Sequence, residues 1–374
     1  MLANRINRLT VKNYRSLRNV SVDLEDLTVL VGVNGSGKSN FVDVPYLVSD
    51  ALQHGLDTAF SRHLRGGPIA SAFFFQDYPH GVVIGLDLTL NGQSGEYRFV
   101  LGLGLSGEKT FAVKSERCRL GQNGFETRDG IVVWSTFPPG IAIQERNLTL
   151  PLIGNLPEIA PLYDFLTNVR LYSIFPNDLR SQHLQQPANP YPLGEHGENL
   201  FAWLKAFIEN ASDEVQRNFY RSLAAIVPNI DPNNPIHVAQ ISQYLNVSVQ
   251  QDNGSLNLSF ESDGTLRALG ILAAIYQTPS LSLMGFEEPE LMLHPGAIGV
   301  LCDELLEAST RSQILITTHS PDLISRFDAA SLRIVEWENG STVIGPVSEA
   351  DRMAVNDKLF SSGDLLRIGG LRRG

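Results

Sequence analysis

Leu27-Thr28-Val29-Leu30-Val31-Gly32-Val33-Asn34-Gly35-Ser36-Gly37-Lys38-Ser39 joins an apolar run to a full G-x-x-x-x-G-K-[ST] pattern. Such a pattern takes the chain out of a strand, round a sharp turn and into a helix, and Gly32, Gly35 and Gly37 permit the turn. Backbone N–H groups then curl around phosphates, Lys38 reaches the β- and γ-phosphates as a point charge, and Ser39 offers a hydroxyl to Mg2+. Asn34, Gly35, Ser36, Gly37, Lys38, Ser39 and the following Asn40 are the candidate nucleotide contacts. The required context is present, because an apolar strand precedes the loop and a helix is predicted over 40–52. ATP with Mg2+ is the implied ligand pair.

The 374-residue chain is 43% hydrophobic and 18% charged, enough for one large domain or two ordinary ones with a substantial core. No apolar run reaches bilayer length and the first residues lack a signal peptide's hydrophobic segment, so a cytoplasmic location without membrane partners is expected. Cys118 and Cys302 can build neither a disulfide framework nor a zinc site by themselves and read as buried thiols. A net charge of −11 excludes a uniformly basic surface, so any nucleic-acid contact needs a local patch.

Strands are predicted over 5–14 and 27–33, and an antiparallel β lobe over 70–135 from short runs at 81–90, 96–103, 110–120 and 130–134. Residues 136–235 read as a mainly helical and irregular insert, with helical periodicity over 197–226. A hairpin (236–249 with 255–260) and an apolar helix (265–276) come next. Strand 281–286, helix 294–306, strand 313–317 and helix 320–326 then alternate as in a parallel sheet covered by helices. The expected fold is α/β: a P-loop NTPase with a parallel-sheet core, an antiparallel β lobe and a helical lobe. We divide this single domain into a phosphate-loop half (1–135), the insert (136–235) and a second half (236–374).

Three further motifs carry chemistry. Leu281-Ser-Leu-Met-Gly-Phe286 ends in Glu287-Glu288, and strand ends are where α/β sheets hold ligands. Adjacent strand residues point to opposite sides, which assigns Glu287 to Mg2+ and Glu288 to the attacking water. Ile314-Leu-Ile-Thr317-Thr318 ends at His319, whose imidazole is placed to hydrogen-bond the γ-phosphate. Glu261-Ser262-Asp263-Gly264 precedes the apolar helix, where a hydroxyl, backbone N–H groups and the helix dipole suit a phosphate. Lys38, Glu288 and His319 form the expected catalytic set; Ser39 and Glu287 form the metal set.

These motifs, in this order, resemble those of ABC-type ATPases of the SMC, RecF and OLD group, also called AAA-family ATPases. Val11-Lys-Asn-Tyr14-Arg15-Ser16-Leu17, Gly197-Glu-Asn199-Leu200, Glu288-Pro289-Glu290, Leu293-His294-Pro295 and His319-Ser320-Pro321 fit the same group. The resemblance implies a homodimer with two ATP molecules between head-to-tail subunits, each phosphate loop facing its partner's signature. Ser262 and Gly264 then contact the γ-phosphate across the interface, and Arg15 lies near the nucleotide. The chain departs from the family pattern at Glu261, Asp263 and Glu287, where leucine, glycine and aspartate are common. Gln76 and the Phe175-Pro176-Asn177 turn compete as the loop linking nucleotide to partner, and His294 either approaches the site or starts a helix.

Between Asn40 and Phe260 the chain has strands and prolines rather than sustained heptads, so a compact head without a coiled-coil arm is expected. The chain ends soon after its last α/β unit, which leaves no room for the nuclease domain of OLD enzymes and makes a separate effector protein the expected partner. Arg5, Arg8, Lys12, Arg15 and Arg18 are the best candidates for a DNA surface, although charges on an edge strand also keep that edge soluble. An ATP-driven dimeric switch in DNA metabolism or defence against foreign DNA is the leading expectation. A regulatory scaffold with little turnover is the alternative.

Overall fold

The computed structural model describes residues 2–63, 81–103, 111–137, 145–180, 189–241, 244–252 and 254–374. The chain opens with a hairpin, β1 (Arg5–Tyr14) and β2 (Leu17–Asp23). Apolar β3 (Leu27–Val31) runs through the glycine loop into α1 (Lys38–His54) and α2 (Leu56–His63). Five antiparallel strands follow: β4 (Val82–Leu90), β5 (Gln93–Leu103), β6 (Phe111–Leu120), β7 (Asn123–Arg128) and β8 (Ile131–Ser135). With the first hairpin they make a seven-stranded sheet, ordered β2-β1-β4-β5-β6-β7-β8. Next come α3 (Leu150–Ile153), α4 (Ala160–Thr167), β9 (Val169–Tyr172), α5 (Pro176–Arg180), α6 (Leu200–Asn210) and α7 (Asp213–Ile226). β10 (Ile236–Ile241), β11 (Tyr244–Gln251) and β12 (Gly254–Asn257) form a separate antiparallel sheet. The remaining elements are α8 (Asp263–Tyr276), β13 (Leu283–Glu287), α9 (Pro295–Ala308), β14 (Gln313–Thr318), α10 (Pro321–Ile324), β15 (Leu332–Glu338), β16 (Ser341–Pro346), α11 (Glu349–Asn356) and α12 (Ser362–Arg367).

The site rests on a six-stranded sheet ordered β16-β15-β3-β14-β13-β9, parallel throughout except for β16. Its central strands divide their side chains between two cores, because successive residues point to opposite faces. Leu27, Val29 and Val31 of β3, Met284 and Phe286 of β13, and Ile314 and Ile316 of β14 join the core that includes residues of α6 to α9. Leu30, Leu283 and Leu315 face the other way, into the core formed with α1 and the seven-stranded sheet. Both faces are buried, which explains why these strands read as unbroken apolar runs. Gly285 belongs to this design: a Cβ there would lie 3.0 Å from Val42 Cγ1 on α1. Gln313 ties the two large sheets together. Its Nε2 donates to Ile6 O (2.8 Å) and Glu25 O (3.0 Å), while Oε1 accepts from Ile6 N (2.9 Å), beside the β1–β4 bulge.

The α/β fold is as expected, with four differences in detail. β7 lies between the strands expected at 110–120 and 130–134. Residues 236–260 form three strands and a 3-10 turn (Leu258–Phe260) instead of one hairpin, because the chain reverses again around 252–254. The helical stretch 197–226 is two helices, broken where Ser212 caps α7 by accepting from Val215 N. β1 is an interior strand between β2 and β4, so its basic residues do not line an edge. Among the described residues α1, at 17 residues, is the longest helix, in keeping with a head without a coiled-coil arm. No helix among them is long and apolar enough to cross a membrane.

Candidate functional site

The glycine loop turns at the C-terminal end of β3, with Gly35 at φ 80° and Gly37 at φ 102°, backbone that side chains disfavour. Gly37 is doubly constrained, since a Cβ would lie 2.0 Å from Thr342 Oγ1. Thr342, on β16, donates from Oγ1 to Ser36 O (2.8 Å), and its N–H donates to Ser16 O (2.9 Å). The C-terminal hairpin therefore fastens the loop, a role that sequence reading missed because no local pattern marks Thr342. Lys38 Nζ donates to Gly32 O (2.7 Å) and Val33 O (3.0 Å). Burial lowers the lysine's pKa, while the charges of Glu288 and Glu290 work against that shift. Ser36, expected to touch the nucleotide, is instead buried and does not line the cleft; its Oγ finds no hydrogen-bond partner among the described residues.

Lys38 and Ser39 share a cleft of about 490 Å3 with Asn34, Gly35, Glu287 and Glu288. Glu287 is the last residue of β13, but Glu288 has already left the strand in left-handed backbone, φ 42°. The opposite-faces argument therefore fails: a backbone turn, rather than strand alternation, separates the two carboxylates. Glu288 N donates to Thr317 O (3.0 Å) and Thr317 Oγ1 (3.2 Å), which holds this costly conformation in place. His319 Nδ1 lies 3.1 Å from Glu288 Oε1, so the two expected catalytic groups meet at the ends of neighbouring strands.

Two buried ionisable groups, Arg267 in the wall of the cleft and Glu290 near it, complete the frame, and sequence reading gave neither a role. Arg267 on α8 donates from Nη1 to Ile174 O (2.5 Å) and from Nη2 to Glu287 O (3.0 Å) and Glu288 O (2.8 Å). A lone arginine inside the apolar stretch Leu266–Tyr276 was the available signal. Glu290 accepts a short hydrogen bond from Thr318 Oγ1, which in turn accepts from Ser320 N (2.9 Å), bracketing His319. Burial is the main cause raising the Glu290 carboxyl's pKa, and its Oε2 has no hydrogen-bond partner among the described residues.

The other expected residues fall into distinct places. Arg15 is held by Asp43 (3.2 Å), Asn40 Oδ1 (3.3 Å) and a short bond to His63 O, in a second cavity that shares Ser39, Asn40 and Glu287 with the cleft. Ser262 caps α8, its Oγ accepting from Thr265 N (3.1 Å), and Gly264 packs so closely that a Cβ would lie 2.6 Å from Met292 O. Neither lines the cleft of its own chain. Phe175 does line it, whereas Gln76 lies outside the described residues. His294 starts a helix: its Nδ1 accepts from Gly296 N (3.1 Å) at the head of α9. Ser39 and Glu287 present hard oxygen donors in one cleft, a set that fits Mg2+, which takes few protein ligands.

A phosphate loop on a parallel sheet, facing a carboxylate pair and a histidine, defines a P-loop ATPase-type head. Residues 158–325 match the family described as "AAA domain, putative AbiEii toxin, Type IV TA system", and residues 5–60 match "AAA ATPase domain". The chain is 23% identical over 381 aligned residues to the Old nuclease of Escherichia phage P2, covering 92% of this chain and 61% of that protein. It thus spans less than two thirds of the relative's length. Among solved structures, an Smc head domain with an extended coiled coil, derived from Pyrococcus furiosus and bound to the C-terminal domain of ScpA, superposes with a TM-score of 0.56 at 13% identity, covering 95% of this chain and 99% of that one. An SMC head bound to the C-winged helix domain of ScpA gives 0.55 at 14% identity, covering 93% and 99%. These matches support an SMC/OLD-like ATPase head.

Proposed function

We propose that this chain binds and hydrolyses ATP at a site shared by two copies of itself. In this reading it serves as a switch in DNA metabolism or defence against foreign DNA, working with a separate effector. The carrying observation is the convergence of Lys38, Ser39, Glu287 and Glu288 in one cleft from which Ser262 and Gly264 are absent. The loop N–H groups and Lys38 receive the β- and γ-phosphates. Ser39 and Glu287 hold Mg2+, which neutralises phosphate oxygens when bound. Glu288 orients the attacking water and His319, bonded to it, reads the γ-phosphate. A second copy supplies Ser262, Gly264 and the N-terminal end of α8. Large apolar residues flank both half-sites in keeping with such an interface: Val33 in the loop is 73% exposed, and Phe260 and Met292 beside the signature are 78% and 57% exposed.

Similarity to a protein described as a nuclease supports a link to nucleic acid. The charge distribution favours the second reading, a dimer that recruits a protein effector. Arg5, Arg8 and Arg15 are paired with Asp26, Asp23 and Asp43, which leaves the N-terminal basic run a weak phosphate-binding stripe. The test is the solution mass of Glu288→Gln with and without Mg-ATP, repeated with duplex DNA. A dimer that needs ATP is the expected result, and salt-sensitive DNA association selects the first reading over the second. A mass indifferent to ATP would overturn the shared site.

A further inference from the structure

The half-site motif Glu261-Ser262-Asp263-Gly264 poses a charge problem, because two carboxylates flank the hydroxyl that is to meet a triphosphate. The fold handles them separately. Glu261 is turned inward, 5% exposed, with Oε1 accepting from Gln251 Nε2 (2.8 Å). Asp263 stays at the surface, 53% exposed, and meets Arg180 at the end of α5, Nη2 to Oδ1 2.7 Å. The same Nη2 donates to Glu261 O (2.9 Å), so one guanidinium bridges both sides of Ser262.

Resting on the ATP-sandwiched dimer proposed above, we propose that Arg180 is a positioning residue of the signature half-site, cancelling the charge of Asp263 so that Ser262 can receive the γ-phosphate held by a second copy. The alternative is a pair that merely pins α5 to α8. Half-exposed ion pairs contribute little to folding, so removing Arg180 leaves the subunit intact. Beside a multiply charged phosphate the same charge weighs more, since a bare Asp263 repels the incoming anion. Arg180 also closes the short helix that begins directly after Phe175, which lines the chain's own cleft.

The experiment starts from Glu288→Gln and adds Arg180→Ala, Arg180→Lys, or Arg180→Ala with Asp263→Asn. The dimerisation constant in Mg-ATP is measured by sedimentation, and affinity for a fluorescent ATP analogue is measured on dilute subunits. Arg180→Ala is expected to weaken dimerisation about a hundredfold, roughly tenfold for each of two composite sites. Adding Asp263→Asn recovers most of that loss, Arg180→Lys stays within about threefold of the parent because its charge remains, and affinity of the isolated subunit is unchanged. Dimerisation indifferent to Arg180→Ala, or unrecovered by Asp263→Asn, overturns the charge-cancelling role while the sandwich stands. A parent that never dimerises with ATP overturns the sandwich and this role together.

Discussion

Replacing Arg267 by methionine should destabilise the fold and slow turnover more than it weakens nucleotide binding. The guanidinium is buried and bonds three carbonyls, those of Ile174, Glu287 and Glu288. Hydrogen bonds from a charged donor contribute about 1.5–3 kcal/mol each, which sets a ceiling of roughly 5–9 kcal/mol. Methionine keeps much of the volume and removes the penalty of burying a charge, which is what lowers the arginine's pKa here. The net loss is therefore about 4 kcal/mol. With an unfolding entropy of about 2.1 cal/mol/K per residue over 374 residues, this lowers Tm by about 5 °C. Turnover should fall at least about tenfold, because the left-handed turn at Glu288 loses its anchor. Lys38 and the loop are untouched, but Arg267 itself lines the cleft, so Kd for ATP should rise by less than turnover falls. Calorimetry, phosphate release and nucleotide titration read the three quantities. An unchanged Tm with wild-type turnover would refute the argument, as would a loss of affinity equal to the loss of turnover.

Gly37→Ala and Gly35→Ala separate steric from conformational constraint. Both positions have positive φ, but only Gly37 is crowded by Thr342, so nucleotide affinity should fall at least about thirtyfold for Gly37→Ala and no more than about tenfold for Gly35→Ala; equal losses in titration would sink the Thr342 argument. For Glu290, burial raises the folded-state pKa, so its protonated form contributes stability at pH values below the ordinary carboxylate range, and this is lost as pH rises through the raised pKa. Glu290→Gln does not titrate, so its Tm relative to wild type should climb as pH rises above the ordinary carboxylate range; a flat difference would show that burial does not raise this carboxyl's pKa. Ser262→Arg and Lys38→Ala subunits should each be inactive alone yet recover about a quarter of wild-type turnover when mixed, since half the dimers then carry one intact site of two. Mixed dimers that form without activity would count against independent composite sites.

Local sequence specified the glycine loop, the carboxylate-ended strand and the histidine-ended strand, because each depends on backbone geometry and side-chain chemistry within a dozen residues. The apolar runs before Gly32, Glu287 and His319 announced strands buried on both faces, and the parallel sheet followed from their alternation with helices. The helix terminus at Ser262 was legible too, since capping is a contact between near neighbours, whereas His294 could be read as either a helix start or a site residue until the fold placed it at the head of α9. Tertiary structure alone decided how these pieces are braced. Gln313 meets Ile6 across 307 residues, where two sheets pack, and Thr342 meets Ser36 across 306, where strands distant in sequence share one sheet; no local pattern can specify either pairing. The same holds for charge. The sequence displays Arg5, Arg8 and Arg15 as a basic run and Glu261 and Asp263 as an acidic motif. Folding hides Glu261, pairs Asp263 with Arg180 and spends the three arginines on aspartates, because a charge near low-dielectric protein is stabilised only where an opposite charge or hydrogen-bond donor is brought beside it.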